Sequence, residues 1–384
     1  MRKLIAIIIV LLYQLSISSG LTSDTKQEVS VGKPAAESYT VKQTTSKIPW
    51  DMIIVDNKLY VGSGDYNKNT GPVDVHCMDL NTKEWTVSGT LNDEAIGKFV
   101  TIGTRTYAPG FDAKGAQSSG NYHILENGQW RSYDNIPGAA HNYDIVEYDG
   151  KLLFAIGTWN SAHTPVQAST DDGLTFQDVP FYKNDVNIFE AESFDYTRVY
   201  EFFKTDNGLY CLFLSVTGGK PEYYEIYRYE SGGFYFVTTH KDVNFKIKSL
   251  KQEPIASEVT YNNMAYIASC YFYRTTDFKT MEEIILPKGE IAIDLLVDDG
   301  QLYVLSADMK EDRCDVRIYA YVYNSFLYPV LSFESQNLPM SFSKHNNDFY
   351  IGIGEKGFNP ELIGTIQTVT APALTLELIK DCTN

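Results

Sequence analysis

A chain of 384 residues with 49 acidic and 32 basic side chains carries a formal charge of −17 and is 43% hydrophobic. That apolar share supports a large packed core and excludes general disorder. The acidic balance argues against a nucleic-acid surface, which needs clustered Lys and Arg facing phosphate, and disfavours anionic membranes.

The chain opens as an export signal. Arg2 and Lys3 precede an apolar run from Leu4 to Leu12, and Ser18 and Gly20 supply the small residues of a cleavage site near Leu21. The run is too short for a stop-transfer helix, and no later segment reaches about 18 consecutive apolar residues, so stable membrane insertion is not expected. Loss of Arg2 and Lys3 leaves 30 basic against 49 acidic groups, a charge of −19 on a secreted, extracellular product. Residues 21–45 lack apolar rhythm and read as a flexible leader, with residues 46–384 forming one domain.

From residue 57 a repeated figure begins, a turn pair followed by an apolar, aromatic strand. Asn57 to Gly62 is followed by Gly103 to Tyr107, Asp149 to Phe154, Asn207 to Tyr210, Asn263 to Ile267, Asp299 to Val304 and Asn347 to Ile351. Aligned on Tyr60, Tyr107, Leu153, Tyr210, Tyr266, Tyr303 and Tyr350, the steps are 47, 46, 57, 56, 37 and 47 residues. Seven copies near this spacing predict an all-β, seven-bladed propeller of four-stranded antiparallel blades. Asn-Gly and Asp-Gly suit the tight hairpins between first and second strands. Cys77 to Trp85, Ile124 to Trp130 and Tyr227 to Phe234 supply the second halves, and Ala373 to Ile379 is expected to complete a blade. No sustained 3.6-residue period appears, so helices should be few. Five cysteines, Cys77, Cys211, Cys270, Cys314 and Cys382, match neither a disulfide framework nor a zinc pattern.

One motif is sharper. Ser169, Asp171, Gly173 and Phe176 fit the Asp-box pattern Ser-x-Asp-x-Gly-x-Thr-aromatic, in which the carboxylate accepts backbone N–H groups across a hairpin. Such a box is a structural staple, so Asp171 is not expected to be a catalytic acid. Thr275 to Met281 resembles a degraded copy. With Leu59 to Tyr66, Asn69 to Pro72, Tyr107 to Asp112, Gly120 to Trp130 and Ile136 to Asp144, residues 48–180 resemble exported bacterial propeller proteins with Asp-box, sialidase-like (BNR) repeats. The resemblance implies a propeller and an extracellular setting. True sialidases carry Arg-Ile-Pro near the first blade. Here Lys47-Ile48-Pro49 stands in its place, without the Arg.

A propeller gathers its innermost strands around one channel. Counting nine residues back from the aligned positions gives Asp51, Lys98, Asp144, Ser257, Asp294 and Ser341, with Arg198 assigned to the longer fourth repeat and Glu258 beside Ser257. Asp51, Asp144, Asp294, Glu258 and His141 are the candidate catalytic groups. Lys98, Arg198, Tyr66, Trp159, Asp65 and Asp112 are the candidate ligand-binding groups. Paired carboxylates can run glycoside hydrolysis, and His141 three residues before Asp144 suits a base and its orienter. No Ser–His–Asp arrangement is visible. Asp65-x-Asn67-x-Asn69 begins like a calcium loop, but Gly71 falls one place late and His76 replaces the closing Glu, so no metal is assigned. The function read from the sequence is a non-catalytic, monomeric module that binds a glycan or an extracellular protein without a cofactor. The alternative is an exo-acting glycosidase or polysaccharide lyase using the channel-mouth carboxylates.

Overall fold

In the computed structural model the described residues are 29–36, 45–114, 119–159, 162–221, 223–251, 253–322 and 326–372. The expected signal segment, the strand expected at Ala373 to Ile379 and Cys382 lie outside them. The described residues are almost wholly antiparallel sheet, with one short α-helix, Ile188–Ala191.

The turn pairs form hairpins because they accept positive φ. Asp56 and Asn57, Asp149 and Gly150, Asn262 and Asn263, and Asp299 and Gly300 all adopt it at both positions, matching the right-handed strand twist. The aligned residues then fall in second strands, where the six tyrosines and Leu153 are at most 4% exposed. Apolar residues of neighbouring sheets pack face to face. Tyr60, Val75, Ala108 and Trp130 share one such layer, and Tyr266, Leu295, Val304 and Tyr321 another. Burying each large side chain contributes roughly 1.5–3 kcal/mol, which is the main cohesion between blades.

The expectation of seven separate blades is corrected. Five discrete four-stranded blades are present among the described residues, and the third and fourth repeats are one eleven-stranded sheet. The join is a short antiparallel pairing of Lys151–Thr158 with Tyr196–Thr205, Gly157 opposite Arg198 and Thr158 opposite Thr197. The Thr158 and Thr197 hydroxyls lock it at 2.9 Å. Gly157 permits the approach, because a Cβ there would stand 3.4 Å from Arg198 Cγ and 3.0 Å from His141 Cδ2.

The supposed leader is also corrected in part. Val29–Gly32 pairs with Ile366–Thr370 as the outermost strand of the last blade, so the two ends of the described chain meet in one sheet. This covers a sheet edge that would otherwise be open.

Candidate functional site

The first strands of the repeats surround the channel, and their polar residues staple neighbouring repeats. Asp51 Oδ2 accepts from Phe99 N at 2.6 Å, Asp144 Oδ2 from Phe202 N at 2.9 Å and Asp294 Oδ2 from Phe342 N at 3.0 Å. Ser257 Oγ accepts from Leu295 N, and Ser341 Oγ donates to Pro49 O. The pairing register slips before Asp144, Glu201, Asp294 and Ser341, and each slip turns the next side chain inward. The nine-residue count therefore finds a structural ring. Applied to Tyr210 it lands on Glu201, so the fourth-repeat member is Glu201 and not Arg198.

Lys98 is the hub of this ring. Its ammonium lies 2.9 Å from Asp144 Oδ1, 2.7 Å from Glu201 Oε1 and 3.1 Å from Glu258 Oε1. Those carboxylates lie within 4.8 Å of one another, a spacing that could hold a metal ion, but the lysine already stands among them. Burial opposes the Lys98 charge, yet the three carboxylates outweigh it and hold the pKa well above the ordinary lysine value. Burial also raises Glu201 and Glu258 against the pull of Lys98. Lys251 lies 3.3 Å from Asp294 Oδ1. Asp51 is pushed up to about 6 by burial and by Asp294, against Lys251. Asp51, Lys98, Glu201, Lys251, Glu258 and Asp294 line a single cavity of about 200 Å³ with Trp50, Phe99, Phe111, Tyr143, Glu253 and Phe342. Asp51, Glu258 and Asp294 thus line one cavity, but Asp51 is occupied with backbone amides, Asp144 with a backbone amide and Lys98, and Asp294 with a backbone amide and Lys251.

A second cluster adjoins the cavity through Phe111 and Tyr143. His141, Gly157 and Arg198 are neighbours across three strands, so the join between the third and fourth repeats assembles this cluster. The His141 ring is 5.4 Å from Tyr143, 6.0 Å from Tyr66 and 6.0 Å from Trp159. Tyr143 is 4.8 Å from Tyr200, which is 6.1 Å from Tyr224. Trp159 is 65% exposed and offers an open ring face. Arg198 is half-buried, donates to Tyr200 Oη at 3.2 Å and lies over Tyr196.

Electrostatics sort these groups by charge near neutral pH. Burial and Arg198 lower His141 to about 4, so its ring is neutral. Its Nδ1 lies 2.5 Å from Phe111 O and must carry the proton to donate there, which leaves Nε2 as the acceptor. Asp112 Oδ2, 3.7 Å from the same Nδ1, is raised to about 7 by burial, Glu94 and Asp93. Glu253 is raised to about 8 by burial, against Arg198 and Lys98. Both Glu253 carboxyl oxygens and the Tyr143 hydroxyl are buried without a hydrogen-bond partner among the described residues.

The remaining predicted residues lie apart or are structural. Asp65 is 3% exposed and caps the turn Tyr66–Lys68 by accepting from Lys68 N. In the calcium-like loop, Lys114 donates to Asn69 O and Oδ1. Asp171 accepts from Ser169 Oγ at 2.8 Å and from Thr175 N at 2.9 Å, within the turn between Val166–Ser169 and Gln177–Asp178. Cys77, Cys211, Cys270 and Cys314 are free and buried.

Sequence reasoning missed Glu201, Lys251, Glu253 and Tyr200. The first was reachable by the count already in use. Lys251 and Glu253 stand in a loop outside the repeat frame, where no spacing marks them. A Ser–His–Asp series, expected to be absent, is also present. Asp93 Oδ2 lies 2.5 Å from His123 Nε2, and His123 Nδ1 lies 2.9 Å from Ser132 Oγ. Ser132 faces solvent on a blade strand and does not line the cavity.

No family model matches the chain, and no curated protein does. Among solved structures, virginiamycin B lyase from Staphylococcus aureus is similar at 12% identity and a TM-score of 0.50, over 90% of this chain and 98% of that one. A chain of a mitotic checkpoint complex is similar at 7% identity and a TM-score of 0.51, over 91% and 96%. An ulvan lyase, from a polysaccharide lyase family, reaches 11% identity and 0.46, over 92% and 99%. These likenesses concern the β-propeller fold alone.

Proposed function

We propose that the protein is an exported carbohydrate-binding propeller that takes an acidic sugar residue at the channel mouth, its carboxylate on Arg198. One observation carries this reading. A half-buried guanidinium with five donors makes one hydrogen bond among the described residues, to Tyr200, in a cluster of aromatic rings that includes the exposed Trp159. Its planar fork suits a carboxylate bidentately, and aromatic faces suit the apolar faces of sugar rings. Asp112 and Glu253 do not defeat this, because both take protons near neutral pH. The overall negative charge acts at long range, where salt screens it beyond about 8 Å. The resemblance to exported Asp-box propellers supports the extracellular setting.

A second reading, β-elimination on the same sugar, is favoured by His141. A neutral imidazole with Nε2 free to accept can take the proton next to a carboxylate held by arginine. The carbon–oxygen bond to the leaving sugar then breaks, and a tyrosine hydroxyl returns a proton to that oxygen. The Lys98-bound carboxylates do not offer an equivalent acid and base for hydrolysis. A glycan array of acidic and neutral oligosaccharides, run beside elimination and hydrolysis assays on the same compounds, tests both readings. Acidic-glycan binding lost in Arg198→Gln supports the first. Unsaturated product lost in His141→Ala supports the second. Binding confined to neutral glycans contradicts both.

A further inference from the structure

The cavity that adjoins the Arg198 cluster holds two polar groups left unsatisfied among the described residues. Neither Glu253 carboxyl oxygen and not the Tyr143 hydroxyl has a hydrogen-bond partner among the described residues, although all three atoms are buried. Buried polar groups in native proteins are nearly always paired, because each unpaired one costs about 1–3 kcal/mol. The remaining carboxylates of the same cavity do have partners: Asp51 and Asp294 hold backbone amides, while Glu201 and Glu258 hold Lys98. The orphans therefore mark a position, and do not reflect general crowding of charge.

Both groups line the 200 Å³ cavity and both feel the charge of Arg198, whose stem lies with the Tyr143 ring beside Gly157. The space exceeds a single water and is of the scale of one sugar ring. Phe111 supplies an apolar wall, 5.8 Å from Tyr143. We infer that Glu253 and Tyr143 are the specificity-determining floor of a sugar subsite, hydrogen-bonding the ring hydroxyls of the residue whose carboxylate lies on Arg198. This rests on the Arg198 reading. Hydroxyls suit the pair better than a cation does, since Glu253 already feels the positive charges of both Arg198 and Lys98. A hydroxyl can donate to a carboxylate, accept from a carboxylic acid, and exchange either role with Tyr143.

The experiment is isothermal titration of the full-length protein with a panel of uronate disaccharides and their carboxyl-reduced, neutral counterparts. Glu253→Leu and Tyr143→Phe are each expected to weaken binding of both acidic and neutral sugars about tenfold or more, as loss of a buried hydrogen bond requires. Glu253→Gln keeps hydrogen-bonding atoms and is expected to stay within about threefold. It also guards against a folding defect in the leucine variant. Arg198→Gln is expected to weaken the acidic sugars selectively. If Glu253→Leu and Tyr143→Phe bind both sugars like the parent while Arg198→Gln loses the acidic ones, the subsite is refuted and the Arg198 reading stands. If the parent protein binds no member of the panel, both are refuted.

Discussion

Replacing Lys98 by Met removes the cation shared by Asp144, Glu201 and Glu258. The three contacts span 2.7–3.1 Å, and all four side chains are at most 19% exposed, so solvent screening is weak. Removing one partner of a buried ion pair typically costs about 3–5 kcal/mol, because the remaining charge has no compensation. A limit on that cost comes from protonation. Holding a glutamic acid of ordinary pKa neutral at about pH 7 costs roughly 4 kcal/mol relative to the unfolded chain, and at about pH 5 only roughly 1 kcal/mol. Glu201 and Glu258 are already raised by burial, which makes them the groups that take protons first. The variant should therefore lose about 3–5 kcal/mol near neutral pH and recover most of it on acidification. In the parent, the raised Lys98 pKa means its contribution is complete below the unfolded lysine value and is lost only in strong alkali. Urea unfolding followed by tryptophan fluorescence at the two pH values measures the difference. A loss under about 1 kcal/mol near neutral pH, or a deficit that does not shrink with acid, refutes the account of the hub.

Gly157→Ala places a Cβ 3.0 Å from His141 Cδ2 and 3.3 Å from Tyr143 Cε2, so these rings must give by a few tenths of an ångström. Affinity for an acidic sugar should fall severalfold while the melting temperature barely moves, and unchanged titration curves would count against the mouth as the site. Acidic-sugar affinity should rise as pH falls through about 8 to about 7, because Glu253 and then Asp112 lose their negative charge. Glu253→Gln should flatten the upper part of that profile, and a pH-independent affinity in the parent would contradict it. The Asp171 carboxylate, held down to about 2 by hydrogen bonds from Thr175 and Ser169, fixes its own turn. Asp171→Ala should speed hydrogen exchange across residues 169–176 without altering ligand binding, and the reverse pattern would overturn its structural role.

The fold was legible where local chemistry specifies it. Turn pairs such as Asp149-Gly150 and Asp299-Gly300 announce hairpins because few other pairs take positive φ twice in succession. The aligned residue nine positions downstream reports the inward position because the distance from the first-strand staple to the hairpin turn is nearly constant, and that rule brings Asp51, Lys98 and Asp294 to one cavity, with Asp144 joined to it through Lys98. The join at Gly157 and Arg198 was not legible. It pairs strands of two repeats separated by a long insertion, and neither residue signals its partner. That join corrected the blade count and, by the same contact, assembled the candidate site. Glu253 was hidden for another reason. It lies in an irregular loop, and its importance comes from what it fails to contact, which no sequence pattern encodes. Ser132, His123 and Asp93 show the same limit, since a series of side chains drawn from separate segments has no spacing to read.

A crystal structure of the protein with a bound uronate disaccharide asks the most direct question of this account. The predicted result has the sugar carboxylate within about 3 Å of two Arg198 guanidinium nitrogens, with the ring against Trp159 or Phe111 and its hydroxyls on Glu253 and Tyr143. A disaccharide bound on another face, or with its carboxylate on Lys98 or Lys251 and Arg198 unengaged, would contradict it.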